Sequence, residues 1–172
     1  MIPERKNDPI VICGFPGVGK THFAKDMTEH EHRDDIIDLE SSPFKAKDAN
    51  HPRDYCEAIA KAYLSGCYSY IFTSCHKEVR TYLWEHHIPY IIVMPQYYKD
   101  NDAWMTARDE YMKRYLSRGD SGHFIQKIYD NWQDWMEEML YQDPAPKIQL
   151  RRYSFIDEIF DYSYELDDKS NE

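Results

Sequence analysis

The segment GFPGVGKT, residues 14–21, matches the pattern GxxxxGK[ST] in full. It constrains the fold more than any other stretch, because this loop works only between a strand and a helix. Both neighbours are present. The apolar run Ile10, Val11, Ile12 and Cys13 directly precedes it and suits a strand buried on both faces of a parallel sheet. Lys20 to Glu29 contains no Gly or Pro and spaces Phe23, Ala24 and Met27 on one helical face. Three of only six glycines stand at 14, 17 and 19, a concentration that a plain strand-to-helix turn does not need.

The rest of the chain alternates in the same way. A second strand is expected at Asp35 to Leu39, ending in DLESS before Pro43. Tyr55, Ile59, Ala62 and Tyr63 describe a helix from Arg53 to Leu64, with Gly66 as its terminator. Tyr68 to Ser74 reads as a third strand, Glu78 to His87 as a helix, and Tyr90 to Met94 as a fourth strand closed by Pro95. Ala103 to Leu140 is helical with a break at Arg118 to Gly122. Its first stripe is Trp104, Ala107, Arg108, Tyr111, Tyr115 and Leu116, and its second runs from Phe124 to Leu140 through Trp132, Trp135 and Met136. Trp132, Trp135 and Met136 are expected in the core, although an aromatic hairpin can also stack a base. Ile148 to Leu150 is the last strand, followed by a short helix near Phe155 to Phe160 and an acidic tail at about 163–172. Such alternation implies an α/β fold with a parallel sheet covered by helices on both faces, and sites at the carboxyl ends of strands.

With 172 residues, 42% hydrophobic and 15% aromatic, one domain with one core is expected. The net charge of −10 raises the cost of approaching nucleic-acid phosphates unless a basic patch intervenes. Cys13, Cys56, Cys67 and Cys75 form no CxxC pair, which fits reduced thiols. No apolar run approaches the roughly 18 residues of a membrane helix, and MIPERKNDP has no signal-peptide core. A cytoplasmic location is the expectation.

In the loop, glycines let successive N–H groups face an anion while the helix amino end adds a favourable dipole. The candidate phosphate contacts are Gly14, Pro16, Gly17, Val18, Gly19, Lys20, Thr21 and His22. Lys20 is placed to reach the β and γ phosphates of ATP, and the Thr21 hydroxyl to ligate Mg²⁺. The loop resembles that of the adenylate-kinase-like and shikimate-kinase-like small P-loop kinases, where a Pro before the second Gly is frequent. That resemblance implies a three-layer P-loop fold with a five-stranded parallel sheet of order 2-3-1-4-5. It also implies an acceptor region after the second strand and an arginine-bearing lid between the fourth and fifth strands, here about 99–141. Small kinases of this kind are common in bacteriophage genomes, and some modify DNA bases.

Asp38 and Glu40 alternate at the end of the second strand, so both carboxylates point the same way. Shikimate-type kinases carry D-x-D at this place. By that resemblance Asp38 is the metal-side group and Glu40, with Ser41, the acceptor side. The bland alternative is a solvated acidic turn with Ser41 or Ser42 as a cap. The third strand ends TSCH, without the carboxylate on which mechanical ATPases and GTPase switches generally depend. In the lid, Arg114 and Arg118 are four apart and share a helical face, suited to neutralising a transferred phosphoryl group. Gly119 and Gly122 flank the break and can let the lid move. An ordinary solvated face paired with Asp109 and Glu110 is the competing reading. Arg53 and Arg80 are candidates for an acceptor phosphate, set against plain surface charge. The pairs His30 with His32 and His86 with His87 suggest metal only loosely.

The leading expectation is an ATP- and Mg-dependent kinase of a nucleotide or nucleoside. Its rivals are a kinase acting on nucleic acid, at a 5′-hydroxyl or a hydroxymethylated base, and a nucleotide-gated binding protein without transfer activity.

Overall fold

The computed structural model describes residues 8–47 and 52–160. The first seven residues, with most of MIPERKNDP, and the acidic tail expected at about 163–172 lie outside them. Five strands form one parallel sheet in the order β2-β3-β1-β4-β5. They are β1 (Ile10–Gly14), β2 (Ile36–Asp38), β3 (Tyr70–Ser74), β4 (Tyr90–Pro95) and β5 (Lys147–Leu150). Between them run α1 (Lys20–Glu29), α2 (Ser42–Lys47), α3 (Arg53–Ser65), α4 (Lys77–Glu85), α5 (Asn101–Arg118) and α6 (Gly122–Glu137). A π-helical turn, Glu138–Gln142, extends the last of these.

The described residues part into two compact units, 8–16 with 20–47 and 52–92, and 17–19 with 93–160. In the first unit β1 lies against β3 in register, Ile10 opposite Tyr70 and Gly14 opposite Ser74. Strand β2 adds to the other edge of β3, with Asp38 opposite Phe72. Val11, Cys13, Ile71 and Phe72 are wholly buried, as strands covered on both faces require. Phe23 of α1 meets Phe72 edge-on at 5.9 Å, which seats the helix after the loop onto β3. Ile59 of α3 and Leu83 of α4 complete this core.

In the second unit α5 and α6 form the expected hairpin. Tyr115 meets Phe124 and Tyr111 meets Trp132, so partners recede from the turn in opposite directions along the chain and the helices are antiparallel. Gly119 closes α5 in a left-handed conformation, and Ser121 caps α6 by accepting from the Phe124 N–H. Gln96 N–H donates to Leu150 O, joining the end of β4 to β5.

Some boundaries differ from expectation. Strand β2 spans three residues instead of five, although Leu39 N–H still donates to Phe72 O. Helix α2 follows directly, because a proline at the second position of a helix lacks only an N–H that has no partner there. Leu116, read on the α5 stripe, is 65% exposed, and Met112 takes the buried place one turn back from Tyr115. Trp132 and Met136 are buried as expected, whereas Trp135 is half-buried. The helix expected at Phe155 to Phe160 is a single turn at 158–160 among the described residues. No helix among the described residues is long and apolar enough to cross a membrane.

Phe72→Ala should destabilise the protein by about 3–5 kcal/mol in urea unfolding, since it empties a fully buried site in β3 and frees the Phe23 ring.

Candidate functional site

The loop leaves β1 at Gly14 and enters α1 at Lys20. In the first unit the Lys20 ammonium folds back on the loop's own carbonyls, donating to Gly14 O at 2.7 Å and Phe15 O at 3.3 Å. One residue on, the exposed Thr21 hydroxyl donates to Asp38 Oδ2 at 2.5 Å and lies 3.2 Å from Glu40 Oε1. The two carboxylates thus meet one hydroxyl, as their alternation along the strand end implies. Burial raises the Asp38 carboxyl above its ordinary pKa and the Glu40 charge adds to this, while the Thr21 hydroxyl and the Lys20 charge pull it down. Three oxygens of Thr21, Asp38 and Glu40 with an ammonium nearby in sequence form a polar cluster at the carboxyl end of β2.

What holds the carboxylates is Tyr55, a residue that sequence reading assigned only to a helical stripe. Its side chain is wholly buried. Its hydroxyl donates to Leu39 O at 2.5 Å and accepts from Ser74 N–H at 2.9 Å. The peptide between Asp38 and Glu40 is therefore tied to the end of β3, the TSCH segment. Burial raises the Tyr55 pKa, so the phenol stays protonated and able to donate.

The other candidates fall apart from this cluster. Arg80 is 3% exposed and its Nε donates to Cys75 O at 2.8 Å, which makes it a brace for the chain leaving β3. Arg53 is exposed and pairs with Glu57 at 2.9 Å across one turn of α3. It rims an open groove of about 490 Å³ between α3 and α4, with Cys56, Lys77, Glu78 and Tyr82. Burial pushes the Cys56 thiol up to about 11, which keeps it protonated and unreactive. Ser41 O accepts from Lys45 N–H in the first turn of α2, and His22 is exposed on α1. His30 pairs with Asp26, and His86 stacks on Tyr82. No group of three or more His, Cys, Asp or Glu side chains among the described residues has the arrangement of a metal site.

In the second unit lie the loop residues Gly17, Val18 and Gly19 together with α5. Gly17 has φ 82°, and a Cβ there would stand 2.8 Å from the Tyr115 ring, so both backbone conformation and packing require glycine. Val18 is fully buried and its carbonyl accepts from Ile156 N–H at 2.8 Å. Arg114 donates to Gly17 O at 3.0 Å, to Glu110 Oε1 at 2.5 Å and to Ser154 O at 3.1 Å. Arg118 pairs with Asp120 and is about half exposed. The two arginines, read as one lid pair, thus have different settings. Arg108 is held between Tyr129, 3.6 Å from its guanidinium carbon, and Trp104 at 4.9 Å.

Comparison with known proteins adds little. No family model matches the chain, and no curated protein matches it. Among solved structures it is similar to an uncharacterized protein from Eubacterium ventriosum ATCC 27560, with TM-score 0.47 and 15% identity over 95% of this chain and 99% of that one. It is also similar to APE1195, with TM-score 0.43 and 18% identity over 94% and 95% of the two chains. Likeness at that level carries no argument, so the site stands on its own geometry.

Tyr55→Phe leaves Leu39 O and Ser74 N–H without their shared partner, and should cost about 1–3 kcal/mol in urea unfolding. A second outcome concerns pH. Because the folded pKa of Asp38 is raised, its ionisation costs stability as pH climbs through that folded value. Asp38→Asn removes this cost. The variant should melt higher than the wild type at neutral pH, and the gap should close below the ordinary aspartate pKa of about 3.9.

Proposed function

We propose that the chain is a magnesium-dependent phosphotransferase that moves the γ-phosphoryl group of ATP to a hydroxyl or phosphate of a nucleotide- or nucleoside-type acceptor. In this reading the fold is a three-layer P-loop fold, with α5 and α6 as the lid hairpin. The observation that carries it is the meeting of Thr21 Oγ1 with Asp38 Oδ2 and Glu40 Oε1 immediately after a complete GxxxxGK[ST] loop. The Thr21 hydroxyl and the Asp38 carboxylate make an all-oxygen donor pair, which suits a hard divalent cation such as Mg²⁺, and Glu40 stands beside them as a second carboxylate. A solvated acidic turn has no need to gather both carboxylates on the hydroxyl that the motif reserves for a metal.

Each residue then has a task. The loop's backbone N–H groups and Lys20 bind the phosphates, Lys20 exchanging a loop carbonyl for a phosphate oxygen. Thr21 and Asp38 hold the cation, which when bound neutralises charge on the phosphate oxygens. A raised proton affinity leaves Asp38 poised to respond to such a cation, which favours the carboxylate form. Glu40, exposed beside it, orients the acceptor hydroxyl and can take its proton. Ser41, next to Glu40 in the chain, stays on the acceptor side, whereas Arg53, paired with Glu57 on α3, has no task in this reading. Arg80, buried on Cys75 O, drops out as a substrate contact. Arg118, exposed near the hairpin turn, is the lid cation of this reading.

Incubation with γ-labelled ATP and Mg²⁺ against nucleosides, nucleotides, oligonucleotides and hydroxymethyl-bearing DNA tests the proposal by where the label goes. Label is expected on a nucleoside or nucleotide. Tight ATP binding with label on no acceptor would defeat it, and label on an oligonucleotide would move the acceptor into nucleic acid. Lys20→Ala should lower transfer by about 10²–10³-fold, the scale of losing one preorganised charge partner. Asp38→Asn should lower it comparably while leaving the apo protein folded. Full activity of Asp38→Asn would refute its assignment to the cation.

A further inference from the structure

Arg114 stands at the centre of a closed network in the second unit. Besides its bonds to Gly17 O, Glu110 Oε1 and Ser154 O, its guanidinium lies 4.4 Å from the Tyr111 ring centre and 4.0 Å from that of Phe155. The side chain is 14% exposed and that of Glu110 8%. A cation enclosed by three oxygens and two rings is not a mobile finger, since reaching elsewhere takes from the buried Glu110 its short ion pair and leaves only the longer one to Arg152. Glu110 itself does more than pair. Its Oε1 also accepts from Tyr153 N–H at 3.0 Å, and Arg152 Nε lies 3.9 Å from its Oε2. Tyr153 has φ 64°, a left-handed backbone that a tyrosine adopts only when surroundings hold it there. The segment that turns at Tyr153 goes on to deliver Ile156 N–H to Val18 O.

Two consecutive loop carbonyls are therefore pinned, Gly17 O by Arg114 and Val18 O by Ile156 N–H. In a planar trans peptide the carbonyl and the following N–H point in opposite directions. Fixing Gly17 O thus aims Val18 N–H the other way, and fixing Val18 O does the same for Gly19 N–H. We propose that Arg114 and Glu110 are positioning residues, a clasp that presets the tip of the loop so that its N–H groups are already aimed at an incoming phosphate chain. Glu110 orients Arg114 and holds the Tyr153 turn, and Arg114 orients the Gly17 peptide. This rests on the phosphate-binding reading of the loop given above.

The test uses the full chain with Arg114→Lys and with the double variant Arg114→Met, Glu110→Gln, which removes both charges together and strands neither. Amide hydrogen exchange is followed without nucleotide, ADP affinity is measured by calorimetry, and KM for ATP and kcat are compared. In the double variant, Val18 and Gly19 amides should exchange at least about tenfold faster while Ile71 to Thr73 in β3 stay unchanged. ADP affinity should fall and KM for ATP rise by about tenfold with kcat within about twofold, as expected when preorganisation for binding is lost. Arg114→Lys should recover part of both. Unchanged exchange at Val18 and Gly19, or acceleration that spreads equally into β3, overturns the clasp. A wild-type chain that binds neither ADP nor ATP defeats the phosphate reading instead, and the exchange rates still decide whether Arg114 and Glu110 set the loop.

Discussion

The pairing of β1 with β3 is the contact on which the first unit depends. Both strands are buried on both faces, so their backbone groups must find partners in one another, and slippage would strand them without water. That register sets Gly14 opposite Ser74, which brings the start of the loop level with the end of β3. Tyr55 then uses Ser74 N–H, a group at the end of the ladder, as one of two anchors and Leu39 O as the other. Placement of Asp38 and Glu40 thus follows from sheet register, through the β2–β3 ladder, the Leu39 N–H bond to Phe72 O and the Tyr55 phenol.

The carboxylate cluster is costly where it stands. Desolvation works against the charged form of Asp38, Glu40 adds repulsion, and one hydroxyl with a nearby ammonium gives back only part. A fold selected for stability alone would place asparagine there.

The basic residues of α5 show how far chemistry depends on setting. Arg114 and Arg118 are one turn apart and have the same side chain. Arg114 faces the buried stripe of Tyr111 and is consumed by Glu110, Gly17 O and Ser154 O, whereas Arg118 lies past the last buried residue of the helix and pairs with Asp120 near solvent. A buried, fully engaged guanidinium organises backbone. An exposed one with a single carboxylate retains donors for a ligand.

Much of the architecture was legible from residues 10–29 and from the alternation that follows. The loop, the helix Lys20–Glu29, the terminator Gly66, the helix break at 118–122 and the sheet order were all read from local pattern or from a resemblance resting on it. Asp38 and Glu40 were legible as a pair because period two is a property of the strand itself. The roles of Tyr55, Glu110, Phe155 and Arg80 were not. Tyr55 looked like one more apolar position, and Arg80 like either an acceptor-phosphate contact or surface charge. Sequence by itself determined what depends on neighbours a few residues apart: turns, helix faces, strand periodicity and the glycine-rich loop between β1 and α1. Tertiary structure alone decided which partner each polar side chain takes, because Arg114 and Gly17 are 97 residues apart, and no local pattern encodes a hydrogen bond across that distance.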